Sequence, residues 1–136
     1  MKKSRLFVYL AVIAVLIAAL ALMGASCSVS TANVKNAVMT TSVDAEGKPM
    51  DSVTSFQVNA PVYAVAELHN APDDTLITFR WYAAGELVDE VRLNNTLTDQ
   101  YIQSSVDGIA QPGDYSVEIY IDEREEPDAS LQFSVQ

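Results

Sequence analysis

The side chains that could do chemistry are few in this sequence of 136 residues, which holds one Cys and one His. Because no second Cys or His accompanies Cys27 and His69, a zinc site with three or four nitrogen or sulfur ligands is excluded. His69 stands at the end of a predicted strand, and no G-x-S-x-G turn is present to display a serine nucleophile. We therefore interpret His69 as a surface histidine and expect no enzymatic activity.

Carboxylates are the one abundant reactive group, with eighteen Asp and Glu in the chain. Asp73 and Asp74 share one turn, and Asp122 and Glu123 begin an acidic run in another. Ca²⁺ takes about six to eight oxygen ligands, which adjacent acidic loops can supply. Because the spacing of these four residues matches no calcium-loop pattern, we regard them as weak calcium candidates on a mainly solvated surface. We expect no cofactor, and the scattered glycines form no phosphate loop that would bind a nucleotide.

Two tyrosines are the best indication of a binding surface. Tyr82 and Tyr120 fall on the side of their predicted strands opposite to the hydrophobic residues. A tyrosine on the solvent side of a sheet commonly packs against a cross-strand neighbour. It can also anchor a protein or a sugar. Both interpretations stay open, and Tyr82 and Tyr120 are the candidate interaction surface.

Charge is distributed unevenly along the chain. Lys2, Lys3 and Arg5 are the only charged residues before Lys35, so the net charge of −10 divides into +3 at the N terminus and −13 over residues 27–136. A domain this acidic repels nucleic acid and anionic lipid headgroups. We expect no binding to nucleic acid, and we expect a charged partner to be basic.

The N-terminal segment predicts the compartment. The 18 residues from Leu6 to Met23 contain no charge, Pro or Gly, and they follow the three cations. Cations before an apolar run favour a cytoplasmic N terminus, which sends the rest of the chain across the membrane. The run is longer than the usual signal-peptide core of about 7–15 residues and approaches the roughly 20 that span a bilayer. We predict a signal peptide or membrane anchor over 1–26, a short linker over 27–33 and one folded domain over 34–136.

The apolar run ends in Gly24-Ala25-Ser26-Cys27, which resembles a bacterial lipobox. In that family the cysteine is lipidated and becomes the first residue of the mature protein, so the resemblance implies lipidation of Cys27. Gly24 stands where the family usually has Leu, Val or Ile. Three fates stay open: lipidation at Cys27, an uncleaved anchor helix, and cleavage by ordinary signal peptidase. The first two keep the domain anchored at the extracytoplasmic side of a membrane.

Residues 34–136 show the pattern of an all-β domain. Turn signals recur about every 8–12 residues, a spacing typical of a sandwich or barrel. Alternation is clear where Ile77, Phe79 and Trp81 share one side and Thr78 and Arg80 take the other. We predict antiparallel strands over 34–43, 62–69, 75–83, 86–93, 96–106, 114–123 and 130–136, with residues 50–59 as a connection.

Seven short strands with a Trp in the third resemble an immunoglobulin-like sandwich. The run from Gly113 to Tyr120, followed by Leu131 to Val135, is similar to the closing hairpin of prokaryotic exported sandwich domains, many of them lipoproteins. The resemblance implies an immunoglobulin-like antiparallel β-sandwich of about seven strands with Trp81 in its core. We expect a membrane-anchored binding module without catalytic activity, with a protein or a surface polymer as partner. The alternative is a structural or accessory subunit of a membrane complex, held by an uncleaved N-terminal helix.

Overall fold

Eight β-strands form the regular structure of the computed structural model, which describes residues 30–136. The predicted apolar helix and Cys27 lie outside the described residues. From residue 30 onward, the structure contains no helix long and apolar enough to cross a membrane. The strands are β1 (Asn33–Thr40), β2 (Ser55–Phe56), β3 (Val62–His69), β4 (Leu76–Ala83), β5 (Glu86–Asn94), β6 (Gln100–Val106), β7 (Gly113–Ile121) and β8 (Ala129–Val135).

The strands form two sheets, which confirms the prediction of an all-β domain. One sheet has three strands in the order β1-β3-β6, and the other has five in the order β2-β8-β7-β4-β5. Every neighbouring pair is antiparallel except β2 and β8, which run parallel. The predictions of about seven strands and of purely antiparallel pairing are therefore wrong in this one place, because β2 lies inside the predicted connection.

The parallel strand β2 is held by the C-terminal strand and by one aromatic side chain. The backbone N–H groups of Ser134 and Gln136 donate to the carbonyls of Thr54 and Phe56, each over 2.9 Å. The Phe56 ring is buried and meets the Phe133 ring edge-on at 5.6 Å between centroids. Only two residues pair in this strand, so no alternation of polar and apolar side chains could predict it.

Several strands are shorter than predicted, and side-chain hydrogen bonds lie at two of the shortened ends. β1 stops at Thr40, where the hydroxyls of Thr40 and Thr41 each donate to the Asp51 carboxylate over 2.5 Å. β6 starts only at Gln100, whose side-chain oxygen accepts the backbone N–H of Thr96 over 2.7 Å. β7 stops before Asp122, which has a φ of 51°, outside the strand region.

The hydrophobic core lies between the two sheets. Ile77, Phe79 and Trp81 of β4 are all buried, as the alternation predicted. In the neighbouring strand, Val117 and Ile119 pair with Trp81 and Phe79, so the inward side chains of β4 and β7 form one continuous apolar face. The three-stranded sheet and the loops supply the opposing side. Burial of each large apolar side chain contributes about 1.5–3 kcal/mol.

A buried polar contact joins the two sheets through the core. The indole N–H of Trp81 donates to the hydroxyl of Ser104 on β6 over 3.0 Å, and both side chains are buried. The Trp81 ring also meets Phe133 edge-on at 6.1 Å. The predicted core position of Trp81 is confirmed, and its hydrogen bond sets how β4 faces β6.

Candidate functional site

The structure brings Tyr82 and Tyr120 together on the outer face of the five-stranded sheet. Both hydroxyls donate to one oxygen of Glu118, from Tyr82 over 3.1 Å and from Tyr120 over 2.5 Å. Tyr82 is half-buried, but Tyr120 is only 8% exposed. The expectation of an exposed ring at Tyr120 is therefore wrong, although both residues do lie opposite to the core. Their role as an interaction surface stays a prediction.

Tyr120 is buried on the outer face because an arginine covers it. The guanidinium carbon of Arg80 lies 4.5 Å from the centre of the Tyr120 ring, in the geometry of a cation–π contact. The hydrogen bond to Glu118, the burial of the ring and the nearby negative charge together raise the pKa of Tyr120 to about 12. The phenol is therefore neutral at ordinary pH and acts as a hydrogen-bond donor.

Two arginines share one carboxylate beside these tyrosines. Glu90 on β5 accepts the Nε–H of Arg80 over 3.2 Å and the Nε–H of Arg92 over 2.7 Å. The hydrogen bond from Arg92, with the charges of both guanidinium groups, holds the pKa of Glu90 below its usual value. Together these contacts form a set that we call the outer-face network: Arg80, Tyr82, Glu90, Arg92, Glu118 and Tyr120.

A pocket of about 200 Å³ adjoins this network. It is lined by Arg80, Arg92 and Arg124, which are all the arginines between residues 27 and 136. Arg124 is held in place because its Nη1 donates to Asp128 over 2.5 Å and its Nη2 donates to the carbonyl of Ala32 over 2.8 Å. We call this the arginine pocket, and its other lining residues are Leu76, Thr78, Tyr120, Asp122 and Glu123.

The sequence did not reveal the arginine pocket, because its three arginines lie on different strands and turns. The only signal was the outward position of Arg80 in the alternation of β4. Arg92 comes to the same place because β5 pairs with β4, so that Arg92 lies opposite Thr78. Arg124 lies in the turn that follows β7.

One calcium candidate, Asp122, contacts the backbone beside the turn that holds two others. The Asp122 carboxylate accepts the backbone N–H of Leu76 over 3.0 Å, just after the turn that holds Asp73 and Asp74. Glu123 lines the arginine pocket and is exposed. Within residues 30–136, no three side chains of the types His, Cys, Asp and Glu are grouped so that they could hold a metal ion.

His69 lies at the end of β3 between two carboxylates. Its Nε2 is 3.5 Å from Glu67 and its Nδ1 is 3.4 Å from Asp99. The side chain is 34% exposed and lines a groove of about 590 Å³ with Tyr101 and Leu97. In the part of the chain that the structure describes, no hydrogen bond joins a serine hydroxyl to His69, and both ring nitrogens face carboxylates.

These features define the class: an all-β domain of two sheets, with a polar network on the outer face of the larger sheet. No family model matches the chain, and no curated protein has a similar sequence. Among solved structures, it is similar to an alkylpurine DNA glycosylase of Pseudomonas fluorescens bound to DNA containing an abasic site analogue, with 11% identity and a TM-score of 0.51. That match covers 79% of this chain but only 31% of the glycosylase, and it concerns the fold alone.

A second solved structure has a lower score. The CARDB domain of a Pyrococcus furiosus protein, solved in complex with di-metal ions, is 13% identical to this chain and has a TM-score of 0.45. The match covers 79% of this chain and 96% of that domain.

Proposed function

We propose that this chain is a membrane-anchored extracytoplasmic module that acts by non-covalent binding and has no catalytic site. We assign its two-sheet domain to the immunoglobulin-like class and Cys27 to lipidation. The lipobox-like residues before Cys27 and the cations before the apolar run support the anchoring. The net charge of −13 over residues 27–136 supports a domain that stands away from anionic lipid headgroups.

The observation that carries the binding role is the outer-face network. Arginine and tyrosine are enriched among the residues that dominate binding interfaces. Exposed ion pairs contribute little to stability, so the gathering of Arg80, Glu90 and Arg92 on one face is better explained by recognition than by folding. The fixed positions of Tyr82 and Tyr120 on Glu118 make this face a pre-organised surface.

The carboxylates of the described residues favour binding over catalysis. Among these carboxylates, the pKa values that depart clearly from normal are those of Asp51, Glu67 and Glu90, and all three are lowered. For Asp51 and Glu67 the largest cause is a hydrogen bond, from Thr40 and Asn36 respectively. A general acid at neutral pH needs a carboxyl whose pKa is raised. These groups are therefore suited to holding fixed charges and hydrogen bonds.

We do not assign the DNA binding of the structurally similar glycosylase to this chain. Binding to nucleic acid depends mainly on cations that neutralise phosphates. Residues 27–136 carry five cations against eighteen acidic residues. Their summed field repels a phosphate backbone, so we propose a protein or a surface polymer as the partner.

The fate of Cys27 tests the proposal. The full chain is expressed in a bacterial host, and intact mass is measured on the membrane and soluble fractions. We expect a membrane-bound protein that lacks residues 1–26 and carries lipid at Cys27. Cys27→Ser should lose the lipid and the cleavage, whereas the matched neighbour Ser28→Ala should keep both.

The same measurement distinguishes the alternative. A membrane-bound protein that keeps an unmodified Met1 start overturns the lipidation and favours an accessory subunit held by an uncleaved helix. A soluble, cleaved protein overturns the anchoring itself. Protease added to intact spheroplasts should digest the domain, because the proposal places it outside the cytoplasm.

A further inference from the structure

The arginine pocket is a local gathering of cations in a domain whose net charge of −13 predicts a basic partner. Only five cations lie between residues 27 and 136, and three of them line this one cavity of about 200 Å³. The two others, Lys35 and Lys48, do not line it. Arginine is suited to recognising carboxylates because its planar donors match the two oxygens.

The arginines lie among carboxylates, but two of them share a single ion-pair partner. Glu90 alone serves both Arg80 and Arg92, so two guanidinium groups share one carboxylate. The nearby Glu118 is engaged by the hydroxyls of Tyr82 and Tyr120. This half of the pocket therefore keeps local donor capacity for a ligand anion.

Arg92 is the arginine best placed to contact a ligand. Its side chain is 63% exposed, and its hydrogen bond to Glu90 uses Nε. Neither Nη nitrogen of Arg92 has a hydrogen-bond partner among residues 30–136. A guanidinium carries five N–H donors, so the terminal fork remains available while Glu90 fixes the side chain.

The acidic residues of the pocket indicate which groups the ligand carries besides its carboxylate. Asp122 and Glu123 line the same cavity as the arginines. Their repulsion, added to the net −13 of the domain, disfavours a dianion such as phosphate more than a single carboxylate. Carboxylate oxygens also accept hydrogen bonds from hydroxyl groups. A ligand with one carboxylate and several hydroxyls matches both sets of residues.

We infer that the arginine pocket binds a sugar acid of a surface polymer, with the sugar carboxylate on Arg92 and Arg80 and its hydroxyls on Asp122 and Glu123. Arg124 also lines the cavity. The inference deepens the proposed binding function by naming its site and the class of its ligand, and it rests on that function only for its biological role.

The test uses the full ¹⁵N-labelled chain in detergent micelles, titrated with glucuronate at constant ionic strength. Glucose is the matched control ligand, because it has the same ring without the carboxylate. We expect glucuronate to shift the amide resonances of Thr78, Arg92 and Asp122, and we expect glucose to leave them unchanged. Arg92→Gln should weaken glucuronate binding about tenfold, the effect of losing one charge-assisted hydrogen bond. Lys48→Gln removes an equal charge outside the pocket and should leave the affinity unchanged.

Four results would overturn the inference. Two concern the controls: glucose shifts the same amide resonances as glucuronate, or Arg92→Gln and Lys48→Gln weaken glucuronate binding equally. Two concern other ligands: inorganic phosphate or N-acetylalanine binds more tightly than glucuronate. Tighter binding of N-acetylalanine would indicate a peptide carboxylate as the ligand. The outcome is separate from the fate of Cys27. An unmodified Cys27 would overturn the lipid anchor and leave the pocket in place, and a pocket that ignores glucuronate would leave the anchor in place.

Discussion

The inner and outer faces of the five-stranded sheet use the same strands for different purposes. On β4 and β7 the inward residues Phe79 and Ile119 are fully buried and apolar. Their outward neighbours Arg80 and Glu118 lie in a network of ion pairs and tyrosine hydroxyls. Apolar burial is non-directional and contributes most of the stability, whereas the outer contacts fix the directions of donors and acceptors. The inner face therefore makes the fold, and the outer face is the surface that we propose for recognition.

The largest loss of stability is expected from a substitution on the inner face. Phe79→Ala removes a fully buried ring and should lower the free energy of unfolding by about 3–5 kcal/mol, because a cavity adds to the lost burial. Urea denaturation followed by circular dichroism measures the change. The control is Leu87→Ala, since Leu87 is 53% exposed and its loss should cost no more than about 0.5 kcal/mol. Equal losses for the two variants would contradict the assignment of the core.

A smaller effect is expected from the contact between the sheets. Ser104→Ala leaves the buried indole N–H of Trp81 without its partner and should cost about 1–3 kcal/mol. Tryptophan fluorescence should shift as well, because Trp81 is the single Trp of the chain. Ser105→Ala, on the exposed side of β6, is the matched control and should change neither measurement. Unfolding free energies that agree for both variants would show that the contact between the sheets is dispensable.

On the outer face, a still smaller loss of stability is expected from a substitution at Tyr120. Tyr120→Phe keeps the ring beneath Arg80 but removes the hydroxyl that bonds Glu118, at a cost of about 0.5–1.5 kcal/mol. Ultraviolet titration should show one tyrosine with a pKa of about 12, and that transition should disappear in the variant. Tyr101→Phe should leave the transition in place.

The raised pKa of Tyr120 also gives a pH dependence with a definite sign. The folded state favours the neutral phenol, so its contribution to stability is complete below pH 10, the ordinary pKa of tyrosine, and is lost as the pH rises from 10 towards 12. Tyr120→Phe should remove this alkaline component of the stability profile. An unchanged profile in the variant would contradict the hydrogen bond to Glu118.

The smallest effect is expected at Glu90. Glu90→Gln removes the charge shared by Arg80 and Arg92 and should lower the melting temperature slightly at low salt and not at high salt, because exposed pairs are screened. Since the pKa of Glu90 is lowered in the folded state, its contribution is present above about pH 4.5 and is lost as the pH falls below that value. Exposed Glu125→Gln is the control. A loss at Glu90 as large as that of Phe79→Ala would break the distinction between the two faces.

The all-β architecture was largely predictable from the sequence because the inner face leaves a period-two signal. The alternation around Phe79 and Trp81 located β4, and the turn residues around it located its neighbours. The parallel strand β2 was not predicted, because a pairing of only two residues, Ser55 and Phe56, is too short to show a period. The end of β1 at Thr40 was not predicted either, because it coincides with a hydrogen bond to Asp51, eleven residues further along the chain.

The outer face was predictable only in part. The alternation placed Tyr82 and Tyr120 on one side of the sheet, but it did not show that Arg80 covers Tyr120 or that one carboxylate joins the two tyrosines. Those contacts depend on the register between β4 and β7, in which Arg80 lies opposite Glu118. The arginine pocket was not predicted for the same reason. Strand pairing places Arg92 beside Arg80, and the turn after β7 brings Arg124 to them.

The most direct test of the division between the two faces measures stability and binding on one variant. Arg92→Gln in the full chain is compared with the unsubstituted protein for its unfolding free energy and for its affinity for glucuronate. The account predicts an unfolding free energy within about 0.5 kcal/mol of the unsubstituted protein, with affinity reduced about tenfold. A variant that loses stability while keeping its affinity would contradict it, because the outer face would then serve the fold and not recognition.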